Sequence, residues 1–195
     1  MLRVAVAGCN SIINTGDEAE LAAVVAALWA LCPSTEIAVF TQNPRQMCRI
    51  PGIHAVNRWN PFSNFMTLLQ SDMLLCCGNH ISDEHGVGML ISLLGATNWA
   101  RFLGKPVVSY ALGVGPLKTR TGRRLMRAIS NQIDLITVRN QASKDELIKI
   151  GVTKPPIVVT ADPVFAVTPA QFDKELGQSL IATLRAGKND HQTAP

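Results

Sequence analysis

Asp17 and Glu18 stand at the head of a long apolar helical run, directly after Asn14-Thr15-Gly16, and these residues are the natural starting point for chemistry. Leu2 to Ala7 is apolar and β-rich apart from Arg3, and Gly8 and a polar loop separate it from the helix start. A strand, a glycine-containing loop and a helix N-terminus together make a corner that can receive an anion or a sugar. The two first-turn carboxylates suit the positive end of the helix but would repel a phosphate placed there. The corner is therefore better matched to hydroxyls, with Asn14 and Gly16 as binding groups and Asp17 or Glu18 able to polarise an O–H, than to a nucleotide phosphate.

Other chemistry-bearing residues recur after strand-like runs. Gly78-Asn79-His80 follows Asp72 to Cys76, Gly113-Val114-Gly115 follows Pro106 to Ala111, Arg139 ends Asp134 to Val138, and Asp162 follows Ile157 to Thr160. In an open parallel sheet, ligands bind beyond the carboxyl ends of the strands, so these loops converge on one edge. Each also has a purely structural reading, with Gly where φ must be positive and Asn or Asp as a cap. A guanidinium ending a buried strand needs an anionic partner, which for Arg139 is either an internal carboxylate or a carboxylate or phosphate of a ligand. His80, Asp83 and His85 beside Cys76 and Cys77 match no zinc spacing, so a hydrogen-bonding loop is expected there and no metal or cofactor is expected anywhere. Arg120, Arg123, Arg124 and Arg127 fall on one helix face, either as a solvated stripe or as a contact for anionic lipid or a phosphorylated substrate. There is no P-loop, GxGxxG, nucleophile elbow or HExxH, which argues against nucleoside triphosphatases, dehydrogenases, α/β-hydrolases and zincins.

The elements that position these residues alternate along the chain. Glu36 to Thr41, Ile53 to Asn57, Asp72 to Cys76, Pro106 to Ala111, Asp134 to Val138 and Ile157 to Thr160 read as strands after the first. Helices are expected after Asn43-Pro44 and from Asn60-Pro61 to Gln70, where Asn caps and Pro takes the first position. Further helices are expected up to Leu103, from Thr121 to Gln132, from Ser143 to Ile150 and from Pro169 to Arg185. This order predicts an α/β fold, a doubly wound parallel Rossmann-like sheet over residues 1–167, followed by a C-terminal helix and polar tail over 168–195. At 195 residues, 47% hydrophobic and 16% charged, the chain fits one well-buried domain. Its net charge of +4 is too mild to indicate nucleic acid. The longest uncharged apolar stretches, Leu21 to Pro33 and Gly86 to Ala100, are shorter than the roughly 18 to 20 residues of a membrane span. Five cysteines without CxxC spacing and no leader-like N-terminus point to a reduced, cytoplasmic protein, at the inner face of the membrane if the arginine stripe meets lipid.

Asn14-Thr15-Gly16-Asp17-Glu18-Ala19, Asn57-Arg58-Trp59-Asn60-Pro61, Tyr110 to Pro116, Asp134 to Arg139 and Thr160 to Phe165 follow one another in the order and spacing of a known family. From Leu2 to Val167 the sequence resembles the polysaccharide pyruvyl transferases, and more narrowly the bacterial branch that pyruvylates cell-wall polysaccharide to anchor surface-layer proteins. The resemblance implies transfer of a pyruvyl group from phosphoenolpyruvate to two hydroxyls of a sugar. It also implies the N-terminal half of a two-domain fold of the GT-B type, with Arg139 placed to meet the donor's carboxylate or phosphate. The chain is about half the length the family leads one to expect, so a second-half chain or a homo-oligomer is an expected partner. The family's three-glycine turn is replaced here by Cys77-Gly78-Asn79. Two other functions stay open: a non-catalytic or partner-dependent domain exposing a large apolar face, and half of a sugar-nucleotide glycosyltransferase, which releases nucleotide instead of phosphate.

Overall fold

A computed structural model describes residues 1–8, 15–47, 52–78, 81–83 and 86–166. The chain divides into two compact units, Met1–Val164 and Phe165–Pro195, and the sheet belongs to the first. The helix expected over Pro169 to Arg185 lies outside the described residues. In order, the described strands and α-helices are β1 (Arg3–Ala7), α1 (Thr15–Leu31), β2 (Glu36–Thr41), α2 (Pro44–Met47), β3 (Ile53–Asn57), α3 (Pro61–Gln70), β4 (Met73–Cys76), α4 (Gly88–Phe102), β5 (Val107–Leu112), α5 (Arg120–Ser130), β6 (Leu135–Val138), α6 (Gln141–Lys149) and β7 (Ile157–Val159).

The strands form one parallel sheet in the order β3-β2-β1-β4-β5-β6-β7, a doubly wound α/β arrangement. Its two faces can be read from β1. Val4 and Val6 join Leu21, Val24 and Val25 of α1 and Met47 of α2 in one core. Ala5 and Ala7 join Leu68 of α3, Leu90 and Leu93 of α4, Met126 and Ile129 of α5 and Leu147 of α6 in the other. Strands buried on both faces need continuous apolar sequence, which is why Met73-Leu74-Leu75-Cys76 carries no alternation. The helix starts are local chemistry: Asn60 accepts from Ser63 N–H ahead of Pro61, and Asn140 accepts from Ser143 N–H at the head of α6.

After β1 the chain turns to β2 on one side, and after β4 it turns to β5 on the other, so the sheet's crevice opens between the carboxyl ends of β1 and β4. Main chain meets main chain there. Gly8 has φ +104°, and a Cβ on it would lie 1.8 Å from the Cys77 carbonyl oxygen, so only glycine can stand at that point. The loop after β4 continues alongside the loop after β5: Gly113 N–H donates to Gly78 O (3.1 Å), Ile81 N–H to Gly113 O (2.8 Å) and Gly115 N–H to Ile81 O (2.9 Å).

Two neighbouring helices carry exposed apolar side chains. Phe62, Met66, Leu69, Ile91 and Phe102 are exposed on α3 and α4, where Trp99 stacks edge-on against Phe65 and Phe102.

Candidate functional site at the carboxyl edge of the sheet

The hydrogen bond between Glu20 and the Gly78 amide sets the start of α1 beside the end of β4, and helix geometry sorts the three carboxylates of that helix. Glu18 is exposed, Asp17 is half-buried and Glu20, three residues beyond Asp17 and on the same face, is only 1% exposed. Gly78 N–H donates to Glu20 Oε1 (3.1 Å), tying α1 to the end of β4. The second oxygen, Oε2, is buried without a hydrogen-bond partner among the described residues. Burial pushes the Glu20 carboxyl from its ordinary value of 4.5 up to about 7; the Gly78 amide and Arg139 oppose the rise, while Asp162 and Asp17 add to it. Burial also raises the carboxyl of Asp17.

On the far side of the edge, Arg139 follows β6 and Asp162 follows β7, and the sheet places them together. Arg139 Nη1 lies 3.2 Å from Asp162 Oδ2, both side chains being about four-fifths buried, at 20% and 23% exposure. Asp162 Oδ1 accepts from Val164 N–H (3.0 Å), which orients the carboxylate toward the guanidinium. Of the two partners open to Arg139 on sequence grounds, the described structure supplies the internal carboxylate. Arg139 also borders a cavity of about 330 Å³ with Val114, Gly115, Asn140, Ser143 and Glu146, at the N-terminus of α6. Asp17, Arg139 and Asp162 each act electrostatically on Glu20.

Of the remaining expected site residues, four glycines are described and three residues are not. Gly16 lies in the first turn of α1, and Gly78 and Gly113 are joined by a backbone hydrogen bond beneath the edge. Gly115 sits under Glu146, whose Cγ would be 3.0 Å from an added Cβ. Asn14, Asn79 and His80 lie outside the described residues, as does His85.

Asp83 turns out to be structural. It accepts Lys118 N–H (2.8 Å) and Thr119 N–H (2.6 Å) as well as the Thr119 hydroxyl, and so buttresses the start of α5. Burial alone would raise its carboxyl, but the Thr119 hydroxyl and the Lys118 and Thr119 amides outweigh it and hold the group below 3.8. Among the described residues, no group of three or more His, Cys, Asp and Glu side chains is arranged to hold a metal.

The four arginines of α5 are exposed, opposite the buried Gly122, Met126 and Ile129. Arg123 donates from Nε to Leu117 O (2.9 Å), and Arg127 passes beside Gly151. No helix among the described residues is long and apolar enough to cross a membrane.

With this geometry in place, comparison with known proteins decides the family. Residues 14–192 match the family described as polysaccharide pyruvyl transferase. The chain belongs to that family. No curated protein matches the sequence. Among solved structures, a "Putative exported protein from Burkholderia pseudomallei" aligns at 12% identity over 85% of this chain and 91% of that one, with a TM-score of 0.39. A likeness that distant carries no argument about this pyruvyl transferase family member.

Sequence reasoning singled out Asp17, Glu18, Arg139 and Asp162 but passed over Glu20. The available signal was its spacing: three residues after Asp17, it is the last carboxylate before the helix becomes wholly apolar.

Proposed function

We propose that this protein transfers the pyruvyl group of phosphoenolpyruvate to two hydroxyls of a sugar in a cell-wall or extracellular polysaccharide precursor, forming a ketal and releasing phosphate. The reaction would run at the carboxyl edge of the sheet. The observation carrying this reading, beside family membership, is that one edge holds both a guanidinium and proton-handling carboxylates within electrostatic reach of each other. Phosphoenolpyruvate is a small trianion, and a guanidinium matches its carboxylate or phosphate through paired N–H donors. Asp162 orients that guanidinium, and the adjoining cavity at the start of α6 is of a size for so small a donor. The acceptor hydroxyls would approach from the α1 side, where Asp17 or Glu18 can polarise an O–H. Donor and acceptor then meet over the Gly78–Gly113 main chain. A cytoplasmic site of action, next to the membrane through the exposed arginines of α5, is part of the same proposal.

The test is phosphate release from phosphoenolpyruvate in the presence of sugar acceptors bearing paired hydroxyls. Arg139→Ala should lower kcat/KM by about 100-fold or more, with most of the loss appearing at low donor concentration. Release of nucleotide from a sugar nucleotide, with phosphoenolpyruvate untouched, would overturn the reading in favour of glycosyl transfer.

A further inference from the structure

The helices packed on the α3 side of the sheet are of two kinds. α3 and α4 are almost without charge: residues 59–71 and 86–100 carry none, and Arg101 is engaged by Asp134 (2.7 Å). α5 is the reverse, with its four arginines exposed and no acidic residue anywhere from Lys105 to Ile133. Helix geometry turns both sets outward. On α3, Phe62, Met66 and Leu69 are exposed opposite the buried Asn64 and Leu68. On α4, Ile91 and Phe102 are exposed on the side away from the buried Leu93, Ala96 and Ala100. On α5, Arg120, Arg124 and Arg127 stand opposite Gly122, Met126 and Ile129. α4 packs against both α3 and α5, and the Trp99 ring meets Phe65 of α3 at 5.1 Å between centroids. The outer surface of one helix layer therefore passes from apolar on α3 and α4 to basic on α5.

The apolar part is large. Phe62 and Phe102 are 73% and 76% exposed, and a phenylalanine presents about 200 Å². With Met66, Leu69, Ile91 and Trp99 the exposed area is on the order of 600 Å², the upper end of what a monomer leaves in water. A second copy of the chain packed on α3 and α4 would cover the apolar residues and leave the row of arginines beside them without a purpose. A bilayer with anionic headgroups answers to both, taking aromatic and aliphatic side chains into its interface and guanidiniums onto its phosphates.

We propose that the outward face of α3, α4 and α5 docks this protein on an anionic bilayer surface. Phe62, Met66, Leu69, Ile91 and Phe102 enter the interface, and Arg120, Arg124 and Arg127 bind lipid phosphates at its border. This rests on the membrane-side part of the function proposed above and gives it a surface. Each of the three helices follows a strand of the parallel sheet and so begins at the carboxyl edge, which sets the candidate site beside the headgroups.

The test is sedimentation of the whole chain with vesicles, one set of phosphatidylcholine alone and one with a third of it replaced by phosphatidylglycerol. Binding should be about 10-fold or more stronger to the anionic set and should weaken as salt is raised. Tryptophan emission should shift to the blue on the anionic vesicles, and Trp99→Phe should remove the larger part of that shift. Phe62→Ser combined with Phe102→Ser, both at exposed positions, should lower partitioning by about 30-fold or more. Arg120→Ser combined with Arg124→Ser should lower it by about 10-fold, on anionic vesicles alone. Equal binding to both sets, or binding to neither, overturns the proposal. So does a lipid-free dimer that the phenylalanine substitutions dissolve while vesicle binding is absent, a result that makes the face an interface between copies. Should the phenylalanine variant not fold, the wild-type emission shift and its salt dependence decide. Phosphate release from phosphoenolpyruvate by a protein that does not bind vesicles removes the docking surface alone, and vesicle binding without phosphate release removes the catalytic reading alone.

Discussion

Asp83 and Glu20 are both buried carboxylates, at 5% and 1% exposure, yet their proton affinities are displaced in opposite directions. The difference lies in what surrounds them. Asp83 receives two amides and a hydroxyl at the head of α5, and Gly122 makes room, since a Cβ there would stand 2.3 Å from Asp83 Oδ2. Among the described residues Glu20 receives one amide, leaves its second oxygen without a partner and is acted on by two further acids. Burial of a carboxylate is therefore no guide to its role. The donors and charges around it decide which way its proton affinity moves.

The largest effect expected from this contrast is on stability at the α5 cap. Asp83→Ala leaves the Lys118 and Thr119 amides without their acceptor and should cost about 4 kcal/mol in denaturant unfolding. Turnover per folded molecule should be unchanged; a parallel loss of turnover would mean that Asp83 does more than cap α5.

Next comes the pH dependence of stability. The folded Glu20 value, about 7, lies above its ordinary 4.5, so between those limits the folded chain holds a proton that the unfolded chain has released. Stability therefore falls as pH rises through that window, by about 3 kcal/mol in all. Asp83 acts in the reverse sense: its folded value lies below 3.8, so its contribution is complete above that pH and is lost as pH falls through the folded value. Chemical denaturation at a series of pH values should place the wild-type maximum on the acid side of neutrality. Glu20→Gln should flatten the descending limb and leave the acid limb in place.

The smallest effect is at Thr119, which accepts Gly122 N–H (2.9 Å) and donates to Asp83. Thr119→Ala should cost about 1 kcal/mol, because Asp83 still holds the two amides. A loss equal to that of Asp83→Ala would mean that the hydroxyl, not the carboxylate, organises the cap.

The same two residues show how far the sequence could be read. The alternation of elements was legible because its signals are local: Asn60-Pro61 caps and starts α3, and the expected strands Glu36 to Thr41 and Ile53 to Asn57 coincide with β2 and β3. The convergence of strand-end loops was legible from sheet topology alone. What could not be read was the division of labour among like side chains. Asp83 lies between His80 and His85, which suggested a polar loop with metal-like composition, whereas its partners Lys118 and Thr119 are 35 and 36 residues away. Glu20 was hidden because α1 is apolar around most of its circumference, so no polar stripe marks the face that turns toward Gly78. In sequence it reads as one more charge near the helix start beside Glu18, and only the fold makes one of them exposed and the other buried. The partner of Arg139 was open for the same reason, with Asp162 lying 23 residues further on, across a strand pairing.

The approach of Gly8 to the Cys77 carbonyl makes the seam between β1 and β4 a junction of main chain with main chain. Peptide groups keep their character under any substitution. A change of acceptor preference on this scaffold would therefore have to arise in the walls, at the helix starts and strand-end loops, with the seam between β1 and β4 as the unvarying reference against which those walls are set.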